Sequence, residues 1–248
     1  MLSDTDLMES WREWQRSVPG LDAAEREWDV LNEMSDRLHG RFLVQLGEYG
    51  SGNVQPEFAS IRRRFVADGM WKEGVALLSE GEQLPIAANS VNAVLLPHTL
   101  ELAKDPHAVL REAERILIPG GYLLLTVFNP FSLYGLWRIF AGRRRFPWRG
   151  RFLMSARVQD WLKLLGFSIE ALRHAGYRPP LGSPALYGRL RLMESLGAKF
   201  WPVASNVYII QAVKRGIPLT LIGKPWKQSK RFLPGHAIEP TTRNDSSA

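Results

Sequence analysis

The sequence predicts an α/β fold with a mainly parallel sheet. Three adjacent stretches carry this reading. "SVNAVLLPH" (Ser90–His98) is a short apolar run closed by a breaker, as in a strand buried on both faces. "DPHAVLREAERILIPGG" (Asp105–Gly121) has the apolar period of a helix. "YLLLTVFNP" (Tyr122–Pro130) is a second buried strand. Strand, helix and strand of ordinary length make a βαβ unit with a parallel crossover.

The other elements follow in chain order. Residues 1–40 read as an N-terminal helical extension. In it "DAAE" predicts a helix start, with Asp22 as cap and Glu25 in the first turn. Trp28, Leu31, Met34 and Leu38 recur at near-helical spacing, and Gly40 is the expected stop. Phe42–Leu46 is a short strand leading into "GEYGSG" (Gly47–Gly52). Ile61–Val66 and Val75–Ser79 are candidates for the second and third strands. Asp105 caps the helix of the βαβ unit and Pro106 suits its first position. Val109, Leu110, Ala113, Ile116 and Leu117 form its apolar stripe, and Pro119, Gly120 and Gly121 end it. A further helix spans 155–165, stopped by Gly166. "FSIEALRH" and "NVYIIQAVKR" are the last two strands. The expected division is a 41–215 domain after the extension, then a basic 216–248 tail whose proline, glycine and polar content predicts disorder.

Composition limits the function classes. The 248 residues are 45% hydrophobic, enough for one sizeable core. With no cysteine there is no disulfide, thiolate metal ligand or cysteine nucleophile, which fits a reducing, cytoplasmic setting. The acidic, polar start lacks the features of a secretory signal, and no apolar run nears the ~20 residues of a membrane helix. The charge is +7 and uneven: "GRRRFPWRGR" (Gly142–Arg151) has five arginines and no acid. From Lys214 to Arg231 there are six basic residues and no acid. Both read as a solvated loop and tail, or as a contact for nucleic acid or an anionic membrane through Arg143–Arg151, where Phe146 and Trp148 interleave.

Ligands of open α/β sheets bind outside the carboxyl ends of the strands. There the sequence puts Gly47, Gly50 and Gly52, then Asp68, then Glu80, then Pro97 and His98 with Glu101 soon after, and finally Asn129, Pro130 and Phe131. Glycines admit close approach of backbone to a ligand, and a carboxylate after the second strand can accept both ribose hydroxyls. Each residue also has an ordinary reading: a turn for the glycines and Asp68, a core or capping role for His98.

The run from "LPIAANS" to "VFNP", within Glu80–Pro130, resembles the second half of class I S-adenosylmethionine-dependent methyltransferases of the type 11 family. "FNPFSLYGLWR" and "RVQDWLKLLGFSIEAL" are similar to a bacterial branch of it. The resemblance implies a Rossmann-like, seven-stranded, mainly parallel sheet with the last strand antiparallel. It implies S-adenosyl-L-methionine as cofactor and an unidentified, small-molecule methyl acceptor. Gly47, Gly50 and Gly52 would lie under the methionine and ribose, Asp68 near the ribose, and Glu80 with Gly81 near the adenine. Pro97 and His98 would stand beside the methionine part and the substrate mouth, with His98 the candidate base. Glu101 reads as a structural helix residue and Asn129 as a possible substrate-orienting amide. "FSLYGLWRIF" would form a lid or a partner surface, with Phe131, Tyr134 and Trp137 in an apolar pocket or in the core.

The first half departs from that pattern. The glycine loop is one residue longer than usual, and Gln45 stands where the family carries an acid. Between Asp68 and Val75 only six residues remain, against the ~10–12 of a helical crossover. The first half is thus expected to be shortened. An inactive methyltransferase-like binding module and a nucleic-acid-binding or -modifying protein are the alternatives.

Overall fold

The computed structural model describes residues 4–47, 49, 58–141, 147–148 and 150–216. Gly50, Gly52, Arg143–Arg145, Arg149 and the 217–248 tail lie outside these described residues. The first half holds helices α1 (Asp4–Gln15) and α2 (Val18–Ser35), then strands β1 (Gly40–Leu46), β2 (Ile61–Asp68), β3 (Val75–Leu78) and β4 (Val91–Pro97). Then come α3 (Thr99–Leu102), α4 (Pro106–Ile116), β5 (Leu117–Phe128), α5 (Leu133–Ala141) and α6 (Ser155–Leu164). The chain continues through β6 (Phe167–Ala175), α7 (Pro184–Arg189), α8 (Arg191–Phe200), a 3-10 turn (Pro202–Ala204) and β7 (Val207–Lys214).

The seven strands form one sheet in the order β3-β2-β1-β4-β5-β7-β6. The first five are parallel, and β7 runs antiparallel between β5 and β6. Successive residues along the central strands serve opposite faces. On one face Val94, Leu96, Leu123 and Leu125 join a core with Leu110 and Ile116 of α4 and Leu162 of α6. On the other, Ala93, Leu95, Leu124 and Phe128 meet Trp14 of α1 and Trp28 and Leu31 of α2. The N-terminal helices thus share a core with the sheet.

Local punctuation explains much of this. Asp105 accepts from the His107 amide at 2.9 Å and Pro106 opens α4. Other elements begin elsewhere than expected. The α2 cap is Ser17, whose Oγ accepts from the Gly20 amide at 3.3 Å, and Asp22 sits inside the helix. Proline at the start of α2 removes an amide that would have no partner, which favours this earlier boundary. α2 also ends at Ser35, short of Gly40, which opens β1. β5 begins at Leu117 rather than Tyr122: Val91 pairs with Leu117 and Ala93 with Tyr122, so Ile118–Gly121 bulge out opposite Asn92.

The short link after β2 is solved by register. Val75 pairs with Val66 and Leu78 with Asp68, so β3 joins only the carboxyl end of β2. The chain retreats about two residues instead of the whole strand, and no crossover helix is needed. Replacing the cap, Ser17→Ala, is expected to cost about 1 kcal/mol of stability, measured by urea denaturation; an unchanged midpoint would contradict the capping assignment.

Candidate functional site

A cavity of about 240 Å³ opens at the carboxyl edge of the sheet. The β1 end contributes Leu46 and Gly47; the turn after β2 contributes Asp68, Gly69, Met70 and Lys72. The turn after β3 adds Ser79, Glu80, Gly81 and Glu82, and the β4 end adds Pro97 and Thr99. The opposite wall is α1, through Leu7, Met8, Trp11, Arg12 and Gln15. Arg12 Nη2 lies 3.3 Å from Met70 Sδ, which links α1 to the β2 turn.

The walls are pinned by short polar contacts. Thr99 Oγ1 donates to the Leu46 carbonyl at 2.8 Å, holding the post-β4 loop against the β1 end. The Ser79 amide donates to the Asp68 carbonyl at 2.9 Å, bringing the β3 end beside the β2 end. Asp68 is buried; its Oδ1 accepts from the Met70 amide at 3.0 Å, and its Oδ2 lies 3.3 Å from Lys72 Nζ. Glu80 stands at the exposed rim, 3.6 Å from Lys104 Nζ.

Gly47 has φ +85°, and among the described residues no heavy atom beyond its chain neighbours lies within 4 Å of where a Cβ would stand. Glycine adopts that backbone freely, and its bare edge leaves the space to a ligand. Behind it, buried Gln45 donates from Nε2 to the Gly47 carbonyl at 2.7 Å, while its Oε1 has no partner among the described residues. Gln45 is itself buried and does not line the cavity, so its amide shapes the Gly47 turn from behind. The sequence had marked Gln45 only as a missing acid; in the structure its amide holds the Gly47 carbonyl.

The structure thus brings Gly47, Asp68, Glu80, Gly81 and Pro97 to one cavity. His98, expected as a base, is placed differently. It does not line the cavity and is completely buried. Its Nδ1 lies 3.0 Å from Glu101 Oε1, and its Nε2 is 3.0 and 3.1 Å from the two Glu27 oxygens. Burial alone would lower its pKa, but the two carboxylates and their hydrogen bonds outweigh that and push it up to about 10. An imidazole that keeps its proton at neutral pH and has no open path to the cavity is a poor base for an acceptor. Glu27 also accepts from the Tyr49 hydroxyl at 2.7 Å, and Glu101 Oε1 accepts from the Phe128 amide at 2.6 Å.

Asn129 is likewise committed: its Nδ2 donates to the carbonyls of Val203 (2.6 Å) and Ser205 (2.9 Å). Phe131, Tyr134 and Trp137 are not in the cavity wall; Tyr134 is buried, with its hydroxyl 3.3 Å from the Pro19 carbonyl. The expected list missed α1. Its signal was Leu7, Trp11 and Trp14, at helical spacing in a helix whose other positions are mostly polar.

Comparison with known proteins agrees with this architecture. The family model described as a methyltransferase domain matches residues 43–125. The uncharacterized protein YafS of Escherichia coli K12 is 35% identical over 203 residues, 81% of this chain and 78% of that protein. The chain belongs to the class I S-adenosylmethionine-dependent methyltransferases. The methyltransferase is also 31% identical over 144 residues to the uncharacterized protein Rv2003c of Mycobacterium tuberculosis, 57% of this chain and 48% of that one. Its fold matches the crystal structure of a SAM-dependent methyltransferase of Thermotoga maritima with a TM-score of 0.59 at 19% identity, over 84% of this chain and 97% of that one. The cyclase SpnF has the same fold, with a TM-score of 0.50 at 18% identity over 76% of this chain and 80% of SpnF.

Removing the imidazole of this methyltransferase leaves Glu27 and Glu101 buried without their counter-charge. His98→Ala is therefore expected to cost about 3–5 kcal/mol, and Glu27→Gln, which leaves one balanced pair, distinctly less. Because the folded pKa of His98 is raised, its contribution is complete below about pH 6.5 and fades as pH rises through about 10. Urea denaturation of wild type across that window should show the loss, and the His98→Ala profile should lack it.

Proposed function

We propose that this chain transfers the sulfonium methyl group of S-adenosylmethionine to a small-molecule acceptor. One observation carries the reading: Gly47, Asp68, Glu80, Gly81 and Pro97, from four separate strand ends, meet at one cavity. Asp68 would receive the ribose hydroxyls, Glu80 with Gly81 the adenine, and Gly47 with Pro97 the methionine end. When bound, the cofactor supplies a methyl group that is already electrophilic. The residues then have mainly to align an acceptor with it, and orientation removes roughly 7–11 kcal/mol of barrier.

The acceptor would enter between the strand ends and α1. Leu7, Met8 and Trp11 form an apolar wall there, suited to the body of a small organic molecule. Among the described residues no histidine lines the cavity, Asp68 and Glu80 are assigned to the cofactor, and Glu82 Oε1 accepts from the Asp105 amide at 2.9 Å. The reading therefore favours an acceptor that is nucleophilic on arrival, such as a neutral amine or a thiolate, over one that needs a protein base.

A second reading, a methyltransferase-like module that binds without turnover, has its own support. Asp68 is already engaged by Lys72 and the Met70 amide, and Gln45 lacks the charge of the family's acid. Calorimetric titration separates the two from a chain that does not bind at all. Saturable binding of S-adenosylmethionine or S-adenosylhomocysteine is expected below about 1 mM. Asp68→Asn should weaken it about 10–100-fold, the worth of hydrogen bonds to a charged group. No binding to the wild type up to millimolar ligand would overturn the first reading; binding without methyl transfer to amine or thiol acceptors would favour the second.

A further inference from the structure

We propose that the surface formed by α5, α8 and the 3-10 turn after α8 docks on an anionic lipid bilayer. This rests on features away from the cavity and is independent of the catalytic reading.

The face of α8 is the first observation. Leu192, Leu196 and Phe200 recur every fourth residue, so they form one stripe. All three are exposed, Leu192 at 73% and Phe200 at 60%. The opposite face of the helix is the one that packs: Glu194, two residues from both Leu192 and Leu196, accepts from the Tyr177 amide at 3.2 Å and faces Arg178, and Gly197 lies against Tyr177. The helix therefore turns its bulky apolar side chains outward while its acid serves the interior. Leaving such a stripe in water forfeits the burial that usually holds a surface helix in place.

The stripe continues onto neighbouring segments. Trp201 and Val203 follow α8 at 71% and 70% exposure. The Asn129 amide binds the Val203 carbonyl at 2.6 Å and so joins this turn to the one that carries Phe131, which is 67% exposed. From there α5 presents Leu136, Trp137 and Ile139, and Tyr134 on its buried side lies 3.5 Å from Tyr187 of α7, the helix that leads into α8.

Charge selects the partner. Arg189 and Lys199 are exposed beside the stripe, with Lys199 Nζ 5.6 Å from the Phe200 ring. The sequence from Phe131 to Arg151, which contains α5, holds six arginines and no acid. Between Ala171 and Lys214 the one acid is the inward-facing Glu194. Exposed aromatic and aliphatic side chains in segments whose own sequence is strongly basic match a membrane interface, where acyl chains receive the apolar groups and anionic headgroups the basic ones; the nearest acid of another element, Asp22 of α2, is paired with Arg178 at 2.8 Å. A nucleic acid would leave Leu192, Leu196, Ile139 and Val203 without use, since aliphatic groups neither stack on bases nor pair with phosphate. A second copy docking the same face on itself would bring the like charges of Arg189 and Lys199 together.

Co-sedimentation of the full chain with vesicles tests this. Binding is expected to vesicles of phosphatidylcholine mixed with phosphatidylglycerol, little to phosphatidylcholine alone, and less as salt is raised. Leu196→Glu with Phe200→Glu should lower the partition about tenfold or more while the thermal melt stays that of wild type, because both side chains are exposed. Arg189→Ser with Lys199→Ser should lower it roughly fivefold per charge. The proposal is overturned by no binding to the anionic vesicles, by undiminished binding of the Leu196→Glu, Phe200→Glu variant, by binding to single-stranded RNA but not vesicles, or by a dimer that this variant dissolves while vesicles go unbound.

Discussion

The protonated His98 held between Glu27 and Glu101 is the interaction on which the arrangement of this protein turns. Glu27 comes from α2, His98 from the end of β4, Glu101 from α3, and the cluster reaches Tyr49 after β1 and the Phe128 amide of β5. Five segments that are distant in sequence are thereby fixed around one buried charge. A buried ion group is costly to desolvate and pays back little stability over an apolar core, but it tolerates few alternative geometries. Its contribution here is registry. It sets the N-terminal helices against the carboxyl edge of the sheet, and α1 becomes the outer wall of the cavity through Trp11, whose ring stacks 5.7 Å from Tyr49.

That registry divides the polar groups at the strand ends into two populations. One set turns inward and is consumed by structure: His98, Glu101 through its Oε1, and Asn129 are engaged with other parts of the chain. The other set, Gly47, Asp68, Glu80 and Gly81, borders open space. Members of the two sets alternate within a few residues, as Pro97 and His98 do. Methyl transfer from a sulfonium asks for alignment more than for proton transfer, so a carboxyl edge whose histidine is buried elsewhere remains chemically adequate.

The fold alone does not specify the reaction. The cyclase SpnF has this sheet and these layers, and the Thermotoga maritima methyltransferase has them too. The features to read in this chain are local: Gln45 at the end of β1, a β3 only four residues long, and a hydrophobic helix face left outside the core. Function therefore has to be argued from the cavity and the surfaces rather than from the architecture.

The sequence by itself determined the elements whose signals are local. The apolar runs of β4, β5 and β7 and the capped α4 were legible because burial period and end signals are written within a dozen residues, and the α/β pattern put Gly47, Asp68 and Glu80 at one edge. Family resemblance added the antiparallel direction of the last strand. The tertiary structure alone decided what depends on remote partners. His98 looked like a site residue until Glu27, 71 positions away, proved to hold it inside. β3 needed no crossover because its register on β2 was offset, which length arithmetic cannot reveal. The roles of α1 and α8 were hidden for the same physical reason: a helical stripe shows which side is apolar, and only packing decides whether that side meets the core, a cavity or the solvent.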